Sequence, residues 1–156
     1  MLAVDFPVHP FMSASRSSTR QRILLIDDDE LISGSLRQYL ELQGCIVDVA
    51  LDACAAEQLM TANAYATVVV DPYLTGGIHH DNAALLDLVC ALQPRASVIV
   101  LTAYASPALE SIAARCEVTA VLTKPQSVVV LERLIRGNAA VAVNGVLSAT
   151  KSPANA

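Results

Sequence analysis

The sequence predicts an open α/β fold. Its centre is a doubly wound, five-stranded parallel sheet in the order 2-1-3-4-5, with five helices on two faces. Three observations predict it. Five short β-branched-rich runs are each followed by a segment with helical spacing. The runs ILLI, TVVV and SVIVL do not alternate apolar with polar residues, as expected of strands covered on both sides. Finally, polar side chains stand at the ends of four of the five runs, where ligands bind in such sheets.

The strands are expected at Ile23–Ile26, Cys45–Ala50, Thr67–Val70, Ser97–Leu101 and Thr119–Leu122. After the first, Leu31, Ile32, Leu36, Tyr39 and Leu40 share one helical face, and Gly44 supplies the stop. After the second, Asp52 caps a helix to about Asn63. A loop follows the third strand, then Leu85, Leu88, Val89 and Leu92, ended by Pro94. Ser106-Pro107 reads as an N-cap with proline at the first helical position. Ser127 caps Val128–Arg136, and Gly137 closes it.

Composition removes several functions. The chain has 156 residues, 10 basic against 15 acidic, a net charge of −5 and 4% aromatic residues. Such a chain lacks the basic footprint that nucleic acid requires. Hydrophobic content of 54% supports one folded core. Mean hydropathy is +0.48, yet no apolar run reaches the roughly 18 residues of a spanning helix. The longest candidate, Ala96 to Leu109, is broken by Ser97, Thr102, Ser106 and Pro107. Asp5, Pro7 and Pro10 argue against a secretory signal. Cys45, Cys54, Cys90 and Cys116 form no CxxC pair and read as reduced thiols that act as small core residues in a cytoplasmic protein. Residues 1–20 read as a flexible arm, 21–137 as the folded domain and 138–156 as a tail with no output domain.

Asp27 and Asp28 end the first strand, Asp71 the third and Thr102 the fourth, while Lys124 follows the fifth. In the order 2-1-3-4-5 the strand without a reactive residue lies at the edge, and the other four are contiguous. Three carboxylates in one crevice repel unless a cation is present. A hard divalent ion such as Mg²⁺ takes oxygen ligands and shares phosphate oxygens. A phosphoryl group on Asp71 would then be met by the metal, Thr102 and Lys124, the positioning and charge neutralisation that phosphoryl transfer needs. Lys124 stands out because the chain has 8 Arg and only 2 Lys, the other being Lys151. Singly, each residue has an ordinary reading: Asp71 before Pro72 as a turn, Thr102 as strand propensity, the acidic run Asp27–Glu30 as a helix start. Their joint order carries the functional reading.

The ordered motifs ILLIDDD, TVVVD, VIVLTA and VLTKP resemble the receiver domain of two-component response regulators, over about residues 21–137. The resemblance implies a flavodoxin-like fold similar to the chemotaxis regulators. It makes Asp71 the phosphoacceptor. Asp27, Asp28, Asp71 and the main-chain carbonyl of Tyr73 become ligands for Mg²⁺, with Mn²⁺ as a substitute. Thr102, Lys124 and the backbone of Ala103 become the phosphoryl-binding and switch set. The implied partners are a sensor histidine kinase or histidine phosphotransfer protein, and a downstream protein target. Neither nucleic acid nor membrane insertion is implied; a phosphorylation-linked homodimer is a further option. The response would be read on the face made by the fourth helix, fifth strand and fifth helix.

This chain departs from the family pattern in three ways. Val121 stands where an aromatic switch residue is usual. The acceptor loop has Thr75 in place of a proline and runs on through Gly76, Gly77, Ile78, His79 and His80. Tyr73 and Tyr104 each follow a motif residue by two positions, where they are expected to flank the acceptor and slow hydrolysis; Tyr104 would stand in for the missing aromatic. His79 and His80 read as loop and cap residues. Two other functions stand beside the main one. A degenerate receiver would act as a phosphorylation-independent interaction module. A haloacid dehalogenase-like phosphatase would use Asp27, Asp29, Thr102 and Lys124. It would lack a general acid two residues after Asp71, where Tyr73 stands, and Glu132 would be its only later acid.

Overall fold

The computed structural model describes residues 20–74 and 82–137. The arm over 1–19, residues 75–81 with His79 and His80, and the tail from 138 onward lie outside the described residues. Five strands form one parallel sheet: β1 (Arg22–Ile26), β2 (Ile46–Ala50), β3 (Thr67–Val70), β4 (Ser97–Thr102) and β5 (Ala120–Thr123), ordered β2-β1-β3-β4-β5. Between and after them run α1 (Glu30–Leu42), α2 (Ala53–Ala62), α3 (Asn82–Leu92), α4 (Pro107–Arg115) and α5 (Val128–Ile135). The doubly wound parallel α/β fold is therefore the observed one.

The continuous apolar runs split by alternation. Ile23, Leu25, Val69, Ile99 and Leu122 pack beneath α1 and α5 with Leu36, Leu40, Leu131 and Ile135. Leu24, Ile26, Val68, Val70, Val98 and Val100 face α2, α3 and α4 through Met60, Leu86, Val89 and Leu109. Side chains of successive strand residues point to opposite faces, so a run such as ILLI fills both layers. Burying one Leu or Ile contributes roughly 1.5–3 kcal/mol.

The caps explain where the helices begin. Asp29 accepts from the Leu31 and Ile32 amides, Asp52 from Ala55, Ser106 from Leu109 and Ser127 from Val129. Gly44 and Gly137 follow α1 and α5 with φ of +87° and +73°, a backbone that costs a side-chain-bearing residue.

Two expectations change. Leu31 is 83% exposed and Ile32 38%, so the buried face of α1 starts at Ser33 and continues through Leu36 and Leu40. The cysteines are not uniformly core residues either: Cys54 is exposed, and Cys45, Cys90 and Cys116 are half-buried.

Candidate functional site

Strand register builds the site. Ile26 of β1 is opposite Val70 of β3, and Val70 is opposite Val100 of β4. Asp27 and Asp71 are the next residues of two adjacent strands, so they arrive at one height. The Asp71 amide donates to the Ile26 carbonyl at 2.8 Å and the Asp27 amide to Ala50 at 3.1 Å, extending the ladder through both acids. The chain turns to opposite sides after β1 and β3, which opens a crevice between them.

Lys124 enters from β5. Thr102 is opposite Thr123, and the Lys124 amide donates to the Thr102 carbonyl at 2.7 Å. The Lys124–Pro125 peptide is cis. The ammonium then bridges the two acids: Nζ lies 2.6 Å from Asp27 Oδ2 and 2.8 Å from Asp71 Oδ2. All three side chains are buried, at 10%, 8% and 15% exposure for Asp27, Asp71 and Lys124. Burial alone would push the Lys124 ammonium down, but hydrogen bonds to Asp27 and Asp71 outweigh it and hold the group above its ordinary value.

The remaining carboxylate oxygens are also engaged. Asp27 Oδ1 accepts from the Asp29 amide and Asp71 Oδ1 from the Tyr73 amide, each at 2.9 Å. Ser33 is buried beside the two acids in the same recess, and its hydroxyl donates to the Asp29 carbonyl at 2.8 Å.

The structure therefore gathers Asp27, Asp71 and Lys124. Asp28 follows, half-buried, at the mouth of the crevice. Among the described residues no three His, Cys, Asp or Glu side chains are drawn into a ready metal cluster. Thr102 is fully buried, and its hydroxyl is 3.3 Å from both the amide and the carbonyl of Tyr104. Ala103 lies between them and is exposed. The Tyr104 side chain is 67% exposed. Tyr73 packs against the core layer that also holds Val121, and its hydroxyl lies 3.3 Å from Ser106 Oγ. Glu132, the acid a phosphatase would need, instead accepts from Tyr39 and Arg136 at 2.8 Å each, where α5 meets α1. Neither Ser33 nor the second partner of Ser106 was expected from the sequence: Ser33 sits in an apolar helical face, and Ser106 reads only as a cap.

The donor set suits a hard cation. Two buried carboxylates face one ammonium, leaving local negative charge, and Asp28 adds to it. All of these ligands are oxygens, as Mg²⁺ prefers.

Known proteins share this fold. The family model of the response regulator receiver domain matches residues 23–136. A response regulator from Burkholderia pseudomallei, solved with a phosphorylated aspartic acid, a calcium ion and citrate, is 31% identical with a TM-score of 0.68; the match covers 76% of this chain and 68% of that one. A CheY-like receiver domain from Methanospirillum hungatei JF-1 is 26% identical, TM-score 0.71, over 77% and 94%. The signal receiver domain of an HD domain-containing protein from Pseudomonas fluorescens Pf-5 is 28% identical, TM-score 0.68, over 76% and 93%. A search of the curated proteins finds no match. With its match across the whole described sheet and the acid–lysine crevice at the carboxyl edge, this chain belongs to the response-regulator receiver domains of two-component signalling.

Proposed function

We propose that the chain takes a phosphoryl group on Asp71 from a histidine kinase or histidine phosphotransfer protein, and that it signals by docking or by relay. The observation that carries this reading is the Lys124 ammonium bridging Asp27 and Asp71. An Asp71 oxygen attacks phosphorus as the P–N bond to the donor histidine breaks; the donor leaves as neutral imidazole when its ring enters protonated. Lys124, already in place, neutralises charge on the transferred group. Asp27 holds Lys124 from the other side. Thr102 would exchange its contact with Tyr104 for a phosphoryl oxygen, beside the Ala103 amide. Asp27, Asp28, Asp71 and the Tyr73 carbonyl would hold Mg²⁺, or Mn²⁺, which supplies charge neutralisation. The domain over 21–137 acts in the cytoplasm. A homodimer through α4, β5 and α5 is a further use of the same surface.

Incubation with Mg²⁺ and acetyl phosphate, read by intact mass, tests this. The expected product is one phosphoryl adduct, absent from Asp71→Asn and from EDTA-treated protein. An unmodified wild-type protein refutes the proposal and favours the phosphorylation-independent module, the reading that Val121 supports. Continuous phosphate release with turnover would make it a phosphatase.

A further inference from the structure

We infer that Cys90 and Cys116 form an oxidisable thiol pair, which a peroxide joins in a disulfide that ties the end of α3 to the end of α4. This pairing is independent of the role of Asp71. Cys90 lies in the last turn of α3, and Cys116 is the C-terminal cap of α4. The Cys90 thiol donates to the Cys116 carbonyl at 3.8 Å and lies within hydrogen-bond reach of the Cys116 sulfur. The Cys116 thiol in turn donates to Asp87 Oδ1 at 3.4 Å, about one turn before Cys90 on α3. Arg115, the neighbour of Cys116, grips both Asp87 oxygens from one Nη at 2.7 and 2.9 Å. The two helix ends are thus clamped together with the two sulfurs between them.

The surroundings also assign the order of reaction. Burial pushes both thiols above their ordinary value, Cys90 up to about 12, so the pair rests reduced and slow to react at neutral pH. At Cys116 the contact with Cys90 works against burial and favours the thiolate; Arg115 supports this and Asp87 opposes it. At Cys90 the same contact favours the thiol. Cys116 is therefore the first sulfur to attack, and Cys90 the one that resolves the product.

The Cys116 thiolate attacks one oxygen of hydrogen peroxide. The O–O bond breaks, Cys116 becomes a sulfenic acid, and the hydroxide released takes up the proton that Cys116 gave to solvent. The Cys90 sulfur then attacks the Cys116 sulfur; the S–O bond breaks, and the departing hydroxide leaves as water with the Cys90 proton. One peroxide is reduced to two waters as two thiols are oxidised to one disulfide. In a reducing compartment such a bond forms only under oxidant and is reversed by thiols. It would hold the last turn of α4, where the Val118 amide donates to the Ala113 carbonyl at 3.1 Å.

Hydrogen peroxide treatment of the folded protein, then alkylation of the remaining thiols in urea and non-reducing peptide mapping, tests the pair. The Cys90–Cys116 linked peptide is expected to exceed every other linked peptide by roughly tenfold, because the fold pre-orients the two sulfurs. Consumption of the exposed Cys54 reports that oxidant has reached the protein. Cys90→Ser is expected to leave Cys116 as a sulfenic acid that dimedone traps, and Cys116→Ser to leave Cys90 an alkylatable thiol. If Cys90 and Cys116 of the wild type are both still alkylated once Cys54 is consumed, the pair is wrong. The same holds if protein oxidised in urea gives the same pattern of links. Dimedone on Cys90 in Cys116→Ser would overturn the order of attack.

Discussion

At the amino edge of the sheet, Gln93 is buried with every contact complete. Its carbonyl accepts from the Tyr65 amide at 3.0 Å, and its amide group donates to the carbonyls of Met60 and Asn63 at 2.8 and 2.9 Å. Beside it Asp48 takes both Arg22 and the Tyr65 hydroxyl, and the Arg22 guanidinium lies 5.7 Å from the centre of the Tyr65 ring. At the carboxyl edge, Asp27 and Asp71 share one ammonium. Gln93 is as buried as Asp27 and Asp71, and its neighbouring Arg22–Asp48 pair is more exposed; the first edge is balanced in charge and the second is one positive charge short. A balanced cluster fixes structure. An unbalanced one keeps an unmet demand that a cation or a phosphoryl group with its metal can meet.

The largest expected effect separates these two edges. Lys124→Met leaves two buried carboxylates without their counter-ion and should cost about 4 kcal/mol in urea unfolding. Gln93→Leu orphans one amide and two carbonyls and should cost about 3 kcal/mol. Millimolar Mg²⁺ should recover part of the first loss and none of the second. Equal recovery in both variants would break the comparison.

The two edges should fail together in alkali. Lys124 is held above its ordinary value of 10.5, so the stability it supplies is complete below that pH and is lost as pH rises through the folded value. Burial, then the bond to Asp48, pushes the Tyr65 phenol up to about 12. The folded protein keeps that proton after the unfolded chain has released it, so this contribution also falls between the ordinary tyrosine value of 10.0 and about 12. Phenolate absorbance should show one late-titrating tyrosine that Tyr65→Phe removes, and that variant should unfold less steeply with alkali.

The smallest effect concerns the thiols. Burial pushes Cys90 up to about 12, while Cys54 is exposed. Iodoacetamide at neutral pH should label Cys54 first and Cys90 last, as peptide mass mapping would show. Rapid labelling of Cys90 would mean that the α3–α4 layer opens more readily than its packing indicates.

Most of the sheet was legible in the sequence because each strand is a β-branched run long enough to fill two layers. Ser106-Pro107 and Gly44 marked helix ends through local chemistry, which needs no tertiary knowledge. The edges of packing were not legible. Leu31 and Ile32 fit the helical period of α1 as well as Leu36 does, yet the fold leaves them exposed. Asp29, which only the phosphatase reading employed, caps α1, in line with the ordinary reading of the acidic run as a helix start. Gln93 carries no periodic signal, because its partners lie about 30 residues away in sequence and meet it only after folding. The direction of Tyr73 was equally hidden. Proximity in sequence to Asp71 suggested a ring over the acceptor, whereas its hydroxyl reaches the cap of α4.

The pairing of Ile26 with Val70 has a consequence for any redesign of this domain. The crevice is counted out along two strands rather than assembled by a loop, so its two acids are tied to strand length. Deleting one residue from β3 would rotate Asp71 to the opposite layer and set Pro72 before the lysine, while the same deletion in β1 would turn Asp27 away and bring Asp28 into its place. Loops around the crevice can be exchanged to suit a new partner, but the strands cannot be shortened or lengthened without dismantling it.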